Sequence, residues 1–474
     1  MPNLQTVRRM LEAHGQGHLL GHYESLTPPE QAALVSQIAT IDFDQLDEWI
    51  AQYVLKAPAA AIPPDIAPPK IEPRKPADEA ARARHAKAIA RGRELLAQGK
   101  VAAFVVAGGQ GTRLGYEGPK GCFEVTPGKH KPLFQVFAEQ ILAASRSAGR
   151  PVPWYIMTSP ANDVPTRAFF RRNGYFGLKE ADVVFLTQGT LPAIGLDGKV
   201  LLAGPGELAL SPDGHGGSLR ALRASGALAD MARRGVELIS YFQVDNPLVR
   251  CLDPLFLGLH DLAGAEMSAK ALPKRDPMEK LGNFCLVSGK VTVIEYSDLP
   301  EALARATGPD GRLRFSAGSI AIHVLGRSFV ERLTADGRCQ LPLHRAEKKV
   351  PFVDASGTLV KPETPNAVKL EMFVFDAMPL AKACVILETD RSEEFSPVKN
   401  ADGADSPATC LHDQVRRAAR WLAKAGVAVP RDADKKVAAA IEISPLFADC
   451  PDQLAKAVDP KLTITAGQNL YLGE

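Results

Sequence analysis

The middle of the chain alternates short apolar runs with longer segments in which apolar residues recur every three or four positions. The short runs are rich in β-branched residues and predict strands, whereas the longer segments predict helices. This alternation is typical of a doubly wound, mostly parallel α/β sheet. Strands are predicted at 101–106, 154–158, 183–187 and 237–244, and helices at 133–147, 166–173, 218–233 and 253–262.

The parts of the chain that flank this pattern differ from it. Residues 1–55 are predicted to be helical. Seven prolines within 58–76 predict an extended connector, because proline blocks regular hydrogen bonding. The last stretch, LTITAGQNLYLGE, alternates like short strands. The predicted domains are an N-terminal helical region with the connector, a central α/β domain and a small C-terminal α/β lobe that is β-rich, at 1–98, 99–400 and 401–474.

Composition narrows the class of protein. A chain of 474 residues exceeds the usual size of one hydrophobic core, so two or three domains are expected. Hydrophobic residues make up 46% and charged residues 23%, which is ordinary for globular proteins. Because 56 Lys and Arg face 54 Asp and Glu, neither nucleic acid nor an acidic membrane surface is expected as a partner.

The cysteines and the N-terminus bear on the cellular compartment. Seven cysteines are scattered and form no CxxC pair, which favours reduced thiols over a disulfide scaffold or a zinc site. The first residues have no apolar core of the signal-peptide type, and no run approaches 18 apolar residues. A soluble cytoplasmic protein is therefore expected.

A glycine-rich loop follows the first predicted strand of the central domain. The sequence VVAGGQGTRLGYEGPKG spans 105–121 and carries the basic residues Arg113 and Lys120. Bare glycines let backbone amides close on a phosphate, and the cations neutralise its charge. A Walker loop would need Ser or Thr after the lysine, and a dinucleotide fingerprint would need glycine at Leu114. The loop therefore indicates a nucleoside triphosphate site of another kind.

The longer pattern, GGxGTRLG followed by PKG, resembles the signature loop of nucleotidyltransferases that join a nucleoside triphosphate to a sugar 1-phosphate. Further segments occur in the order seen in eukaryotic-type UDP-N-acetylhexosamine pyrophosphorylases, which belong to the UTP–sugar-1-phosphate uridylyltransferase family. The resemblance implies a Rossmann-like, doubly wound mixed sheet of the nucleotide-diphospho-sugar transferase fold, with 99–400 as the catalytic domain. These segments are TQGTLPAI, LSPDGHGG, VDNPLV, IEYSDL, FSAGSIAIH, EKKVPFVD and EFSPVKNADG.

The resemblance implies a role for each matching residue. Arg113, Lys120 and Lys399 would contact the phosphates and act in catalysis, while Asp245, at the end of a predicted strand, would hold Mg²⁺. The nucleotide would be bound by Gly108, Gly109, Gly111, Thr112, Gln188 and Gly214.

The sugar would be contacted by His215, Gly282, Glu295 and Ser319. His215 and Ser319 stand where the family usually carries asparagine. These two departures lie in one predicted pocket, and they leave the choice of sugar open between N-acetylglucosamine 1-phosphate and glucose or galactose 1-phosphate.

The implied reaction joins UTP and a sugar 1-phosphate, with release of pyrophosphate. The sugar phosphate is already an anionic nucleophile, so catalysis would come from in-line positioning and charge stabilisation. An oxidoreductase is an alternative, but the basic segment TPGKHKPLFQ lies where a dinucleotide site requires an acidic residue. A non-catalytic nucleotide-sugar sensor is a third possibility, which turnover of UTP would distinguish.

Overall fold

Capping residues and glycines set the helix limits in the computed structural model, which describes residues 3–56, 65–337, 339 and 341–473. Thr27 is the N-cap of the second helix and closes a capping box with Glu30. Gly226, with a φ of +78°, divides the helix predicted over 218–233 into two. The α-helices are α1 Leu4–Ala13, α2 Pro28–Ile38, α3 Phe43–Trp49, α4 Glu79–Ala97, α5 Leu133–Ala148, α6 Asp163–Arg172, α7 Gly217–Ala224, α8 Ala227–Arg233, α9 Pro254–Leu262, α10 Glu301–Ala304, α11 Arg327–Leu333, α12 Arg391–Glu394, α13 Pro407–Lys424 and α14 Pro451–Ala457.

The four predicted strands of the central domain are confirmed. Three have the predicted bounds, and the fourth is one residue shorter at each end. The strands are β1 Val101–Val106, β2 Trp154–Thr158, β3 Val183–Thr187, β4 Thr190–Pro192, β5 Ile194–Gly195, β6 Leu202–Gly204, β7 Glu207–Leu208, β8 Leu210–Pro212, β9 Leu238–Gln243, β10 Met267–Pro273, β11 Asn283–Val287, β12 Lys290–Ile294, β13 Ala317–Gly326, β14 Leu343–Lys348, β15 Phe352–Val353, β16 Leu359–Val360, β17 Ala367–Met372, β18 Cys384–Glu388, β19 Ala440–Ile443 and β20 Asn469–Leu472.

The described chain divides into two units that each gather separate segments. One comprises Met1–Ala61, Gln188–Ser218 and Gln340–Asp376, and the other comprises Ile62–Thr187, Leu219–Cys339 and Ala377–Glu474. The three domains predicted from the sequence stay a prediction. Residues 58–64 of the predicted connector lie outside the described residues. Within the described part, no helix combines the length and apolar character that crossing a membrane requires.

A nine-stranded mixed sheet forms the centre of the second unit. Its main path runs β12-β11-β13-β9-β1-β2-β3, and β10 pairs with both β13 and β18. The strands β9, β1, β2 and β3 are parallel to one another, whereas β13 is antiparallel to β9. The α/β prediction with a doubly wound mixed sheet is therefore confirmed. The buried aromatic rings of Phe134, Trp154 and Phe170 meet edge to face against this sheet.

The order of strands reverses beside β1, and this places two chain segments together. The chain leaves β1 towards β2 on one side, while β9 pairs with β1 on the other, with Val106 opposite Gln243. The Val244 N–H donates to the Val106 carbonyl at 3.1 Å. Ligands of open α/β sheets bind at such a switch point, beyond the carboxyl ends of the strands.

The C-terminal segment is not β-rich, which corrects the sequence prediction. Helices α13 and α14 contain 18 and 7 residues, whereas β19 and β20 contain 4 each and form a two-stranded parallel sheet. Trp421 and Leu422 of α13 are buried with Ile441 and Leu454 in a small separate core. Alternation predicted strands along the whole last stretch, but of its described residues, 462–473, only 469–472 pair with another strand.

Candidate active site

The loop after β1 is closed on itself by main-chain hydrogen bonds. The Gly111 N–H donates to the Gly118 carbonyl at 2.9 Å, and the Lys120 N–H donates to the Gly109 carbonyl at 3.1 Å. Gly118 has a φ of +142°, a conformation that other residues rarely adopt. The backbone predicted to meet phosphate is therefore shaped before any ligand arrives.

A buried asparagine near the end of β2 braces the same loop. Asn162 Nδ2 donates to the carbonyl oxygens of Ala107 and Gly109, at 3.0 and 3.3 Å, and its Oδ1 accepts from the Ser159 N–H at 2.8 Å. Asn162 is not among the residues predicted from the sequence. The sequence feature that could have indicated it is a polar residue shortly after a buried strand, β2, which pairs with β1.

The glycines of the loop serve different purposes. A Cβ at Gly111 would lie 2.6 Å from Tyr116 Cδ1, so the fold itself requires glycine there. A Cβ at Gly109 would meet no protein atom within 4 Å, and Gly109 has no positive φ. Gly109, Thr112 and Arg113 are exposed. Bare backbone at Gly109 is therefore free for close approach by a ligand.

Replacing Gly109 by alanine is expected to weaken nucleotide binding without lowering stability, because the added methyl group occupies only the ligand's space. Gly121→Ala is the matched control. Its Cβ would lie 2.1 Å from Phe134 Cε2, so this variant is expected to lose about 1–3 kcal/mol of stability by overpacking. Thermal unfolding and nucleotide titration measure the two effects. Unchanged affinity in Gly109→Ala would show that phosphate does not approach this residue.

Lys120 lies near the end of the loop, and its pKa is shifted by the other charged residues that are predicted to bind phosphate or metal. Burial lowers the pKa of Lys120, and the carboxylate of Asp245 partly offsets this shift. The charges of Arg113 and Lys399 lower the pKa further. The fold thus brings the three predicted catalytic cations and the predicted metal ligand into one electrostatic environment.

A main-chain hydrogen bond joins Asp245 to the segment that carries Lys399. Asp245 follows β9, and its carbonyl accepts from the Val398 N–H at 2.8 Å. The Lys399 ammonium lies 3.8 Å from the Asp405 carboxylate and 5.7 Å from the centre of the Phe395 ring. Residues far apart in the sequence therefore meet at the carboxyl end of β9.

Three of the predicted sugar-contacting residues form a second cluster. A Cβ at Gly282 would lie 3.4 Å from Glu295 Oε1 and 3.8 Å from Ser319 Cβ. The Ser319 N–H donates to the Gly282 carbonyl at 2.7 Å. Because β13 runs antiparallel to β9, with His323 opposite Tyr241, residue 319 lies toward the sheet edge at which β9 ends.

The other unit holds the remaining predicted residues, Gln188, Gly214 and His215. Gln188 Nε2 donates to the Gly214 carbonyl at 2.7 Å. Gly214 has a φ of +82°, and a Cβ there would lie 2.3 Å from the Met372 carbonyl oxygen. The contact between Gln188 and Gly214 therefore fixes a loop in which only glycine fits.

The surroundings of His215 settle its protonation. The Val374 N–H donates to His215 Nδ1 at 3.1 Å, so the proton of the neutral ring is on Nε2. The ring stacks on Phe373 with 5.1 Å between centres and 11° between planes. Burial, with a smaller contribution from His344, lowers the pKa of His215 to about 4. At neutral pH His215 therefore offers a single N–H donor, with no acceptor left on the ring.

Comparison with known proteins identifies the family. A family model described as UTP–glucose-1-phosphate uridylyltransferase matches residues 56–412. The chain belongs to this uridylyltransferase family. UDP-N-acetylhexosamine pyrophosphorylase-like protein 1 of Homo sapiens is 40% identical over 443 residues, which cover 90% of this chain and 87% of that protein. The UDP-N-acetylglucosamine pyrophosphorylase of Saccharomyces cerevisiae is 40% identical over 350 residues, which cover 71% of this chain and 73% of that protein.

A solved structure of the family agrees with this fold. The uridine diphosphate N-acetylglucosamine pyrophosphorylase from Trypanosoma brucei, in complex with an inhibitor, matches with a TM-score of 0.82 and 28% identity. The match covers 96% of this chain and 95% of that chain. The resemblance to UDP-N-acetylhexosamine pyrophosphorylases that the motifs predict is therefore confirmed.

The uridylyltransferase site has few protein ligands for a metal ion. Among the described residues, no group of three or more His, Cys, Asp or Glu side chains could hold one. Mg²⁺ commonly binds one or two protein carboxylates and completes its shell with substrate phosphates and water. A single carboxylate at Asp245, beside the phosphate loop, fits an ion of this kind.

The shifted pKa of Lys120 predicts an alkaline limit to the activity of this uridylyltransferase. A lysine attracts phosphate only while protonated, and the lowered pKa means that Lys120 loses its proton at a lower pH than an exposed lysine. We expect kcat/KM for UTP to fall on the alkaline side, and Lys120→Arg to move this fall to higher pH, because arginine keeps its charge. An identical alkaline limb in both proteins would assign the fall to another group.

Proposed function

We propose that this protein transfers the uridylyl group of UTP to N-acetylglucosamine 1-phosphate, giving UDP-N-acetylglucosamine and pyrophosphate, with Mg²⁺ as its cofactor. A phosphate oxygen of the sugar phosphate attacks the α-phosphorus of UTP, and the bond from that phosphorus to the bridging oxygen of the β-phosphate breaks. The observation that carries the proposal is the shared environment of Lys120, Arg113, Lys399 and Asp245 at the switch point of the sheet.

The chemistry requires positioning and charge more than proton transfer. Both reactants are anions, so the cations Arg113, Lys120 and Lys399 reduce their repulsion and stabilise the charge that develops at the transferred phosphate. The backbone around Gly109 cradles the leaving phosphates. Since the nucleophile is already ionised, no general base is needed, and none of these residues has to remove a proton.

Asp245 is the residue that would hold Mg²⁺. When bound, the ion neutralises phosphate charge and helps to orient the triphosphate. Asp245 follows β9 beside the end of β1, and its charge acts on Lys120 of the loop after β1, which supports a place for its carboxylate near the phosphates. Its main-chain bond to Val398 also keeps the segment of Lys399 beside that place.

The sugar is supported by the names of the relatives, and the residues of the pocket add a refinement. A UDP-N-acetylglucosamine diphosphorylase and a UDP-N-acetylglucosamine pyrophosphorylase share most of their length with this chain, which favours N-acetylglucosamine over glucose. Ser319 lies near Gly282, as Glu295 does, and its side chain is shorter than that of asparagine, so a water molecule would take the place of the missing amide. Because water adapts where a fixed amide does not, this pocket should discriminate sugars less strictly.

Pyrophosphate release from UTP, measured with a panel of sugar 1-phosphates, tests both points. We expect the highest kcat/KM with N-acetylglucosamine 1-phosphate and measurable turnover with glucosamine, glucose and galactose 1-phosphates. A site that pairs every polar group of its substrate rejects analogues by roughly 10⁴ or more. Rejection of that size would contradict the relaxed pocket, and preference for glucose 1-phosphate would overturn the assigned sugar.

The same panel distinguishes the remaining alternatives. No turnover with any sugar phosphate, together with retained binding of UDP-sugars, would favour a nucleotide-sugar sensor.

Ser319→Asn supplies the matched variant, since it restores the side chain that the family usually carries. We expect this substitution to raise the preference for N-acetylglucosamine 1-phosphate over glucose 1-phosphate by about tenfold, as one buried polar contact would give.

A further inference from the structure

Lys270 of β10 is a lysine whose side chain has no exposed surface. Its ammonium donates to Asp253 Oδ2 at 2.8 Å and to the Glu394 carboxylate. Buried ion pairs cost desolvation energy and are often replaceable by apolar residues without loss of stability. Stability alone therefore explains the burial of Lys270 poorly. Lys270 is also not among the residues predicted from the sequence to bind substrate.

One partner of Lys270 is tied to the phosphate site. Glu394 is buried, and its Oε1 accepts from Thr389 Oγ1 at 2.7 Å and from Arg74 Nη1 at 3.2 Å. Its main-chain oxygen accepts from Asn246 Nδ2 at 2.7 Å, while Asn246 Oδ1 accepts from the Ser396 N–H at 3.1 Å. Glu394 is thus held by its side chain and by its backbone.

The link from Glu394 reaches the charged residues of the site within a few residues. Asn246 directly follows Asp245, whose carbonyl accepts from the Val398 N–H. Lys399 is the next residue along that segment. Three hydrogen bonds of Asp245 and Asn246 therefore join the residues after β9 to residues 394–398, and Lys270 binds the side chain of Glu394, the first residue of that range.

The second partner of Lys270, Asp253, belongs to the start of α9. Asp253 caps α9, where its Oδ1 accepts from the Leu255 N–H at 3.1 Å. Burial by itself raises the pKa of Asp253, but the charges of Lys270 and Arg250 hold that pKa well below its ordinary value. Asp253 therefore stays ionised, and the other partners of its carboxylate are Leu255 and Arg250, which lie outside residues 394–398.

We propose that Lys270 is a positioning residue for uridylyl transfer, which holds Glu394 and through it keeps Lys399 and Asp245 in place at the phosphates. The proposal rests on the proposed function of this site. Lys270 itself touches no substrate. Its effect passes through the backbone of residues 394–398, so losing its charge should loosen that segment while the rest of the sheet stays folded.

The two partners of Lys270 provide a matched pair of variants. Glu394→Gln and Asp253→Asn each remove one carboxylate charge beside the same buried lysine, but only Glu394 leads to the site. We expect kcat to fall by up to about 10²-fold in Lys270→Met and in Glu394→Gln, because small misplacements of reacting groups can cost that much. We expect kcat in Asp253→Asn to stay near that of the natural protein.

Hydrogen–deuterium exchange of the peptide covering 394–400 supplies a readout that does not depend on turnover. Loss of the bonds to Asn246 and Asp245 should remove protection of this peptide in Lys270→Met and Glu394→Gln, but not in Asp253→Asn. Lys131→Met is a second control, because Lys131 is also a buried lysine and its ammonium binds Glu139, Glu442 and Tyr471, which lie outside residues 394–398.

The outcomes separate this proposal from the proposed function. Unchanged exchange of 394–400 in Lys270→Met, or equal losses of kcat in Glu394→Gln and Asp253→Asn, would overturn the positioning role. If the natural protein turns over no sugar phosphate, but Lys270→Met and Glu394→Gln still lose protection of 394–400, the proposed function is overturned and the role of Lys270 in holding residues 394–398 stands. If Lys270→Met does not fold, Glu394→Gln carries the test, since glutamine keeps the shape of the side chain.

Discussion

Replacing Lys399 by alanine is expected to lower kcat by about 10²–10³-fold, with a much smaller effect on UTP binding. Loss of one charge-assisted donor at a reacting centre typically costs about 2.7–4 kcal/mol of transition-state stabilisation. Lys399 is placed for such a role, because its charge acts on Lys120 and its segment bonds to the backbone of Asp245. Steady-state kinetics with UTP and N-acetylglucosamine 1-phosphate measure kcat and KM separately.

The comparison with another lysine makes the result specific. Lys424 is 62% exposed and pairs with Asp452 at 2.7 Å, so Lys424→Ala removes an equal charge from the same unit at a solvated position. This variant should keep the kcat of the natural protein, since exposed pairs contribute little. Equal kcat in Lys399→Ala and the natural protein would make Lys399 another surface lysine, paired only with Asp405.

Local patterns predicted four of the nine strands of the central sheet and the loop of the proposed phosphate site. The strands at 101–106, 154–158 and 183–187 are short apolar runs, and such runs predict buried strands from the local sequence alone. The glycine loop with Arg113 and Lys120 is equally local, because its motif lies within one stretch. These features were predictable since residues close in sequence determine them.

The bracing residues were not predictable in this way. Asn162 and Glu394 act through partners that are distant in the sequence, and their local sequence does not show which residues those partners are. Lys270 lies in a strand whose pattern predicts neither its burial nor its two carboxylate partners. The prediction of a β-rich C-terminal lobe was wrong for a related reason, because alternation of apolar and polar residues does not by itself provide a partner strand.

The state of His215 also needed the fold. The sequence places a histidine where the family usually has asparagine, which leaves open whether the ring donates, accepts or carries charge. The Val374 N–H and the stack on Phe373 decide this, since they occupy Nδ1 and bury the ring. His215 can therefore replace the donor of an asparagine but not its acceptor.

Asp245→Asn is expected to raise the Mg²⁺ concentration needed for half-maximal activity by at least about 10–100-fold, without unfolding the protein. Even the outer partners of metal ligands contribute factors of that size, and a charged ligand should contribute no less. Asparagine keeps the shape of the side chain, and the bond from Val398 is to the main chain, so the segment of Lys399 should stay in place. Asp261→Asn is the matched control, because Asp261 pairs with Arg91 at 2.7 Å and lies outside the proposed site. Activity measured across a Mg²⁺ titration, with thermal unfolding of each variant, checks the prediction. The same Mg²⁺ requirement in Asp245→Asn and the natural protein would remove Asp245 from the metal site.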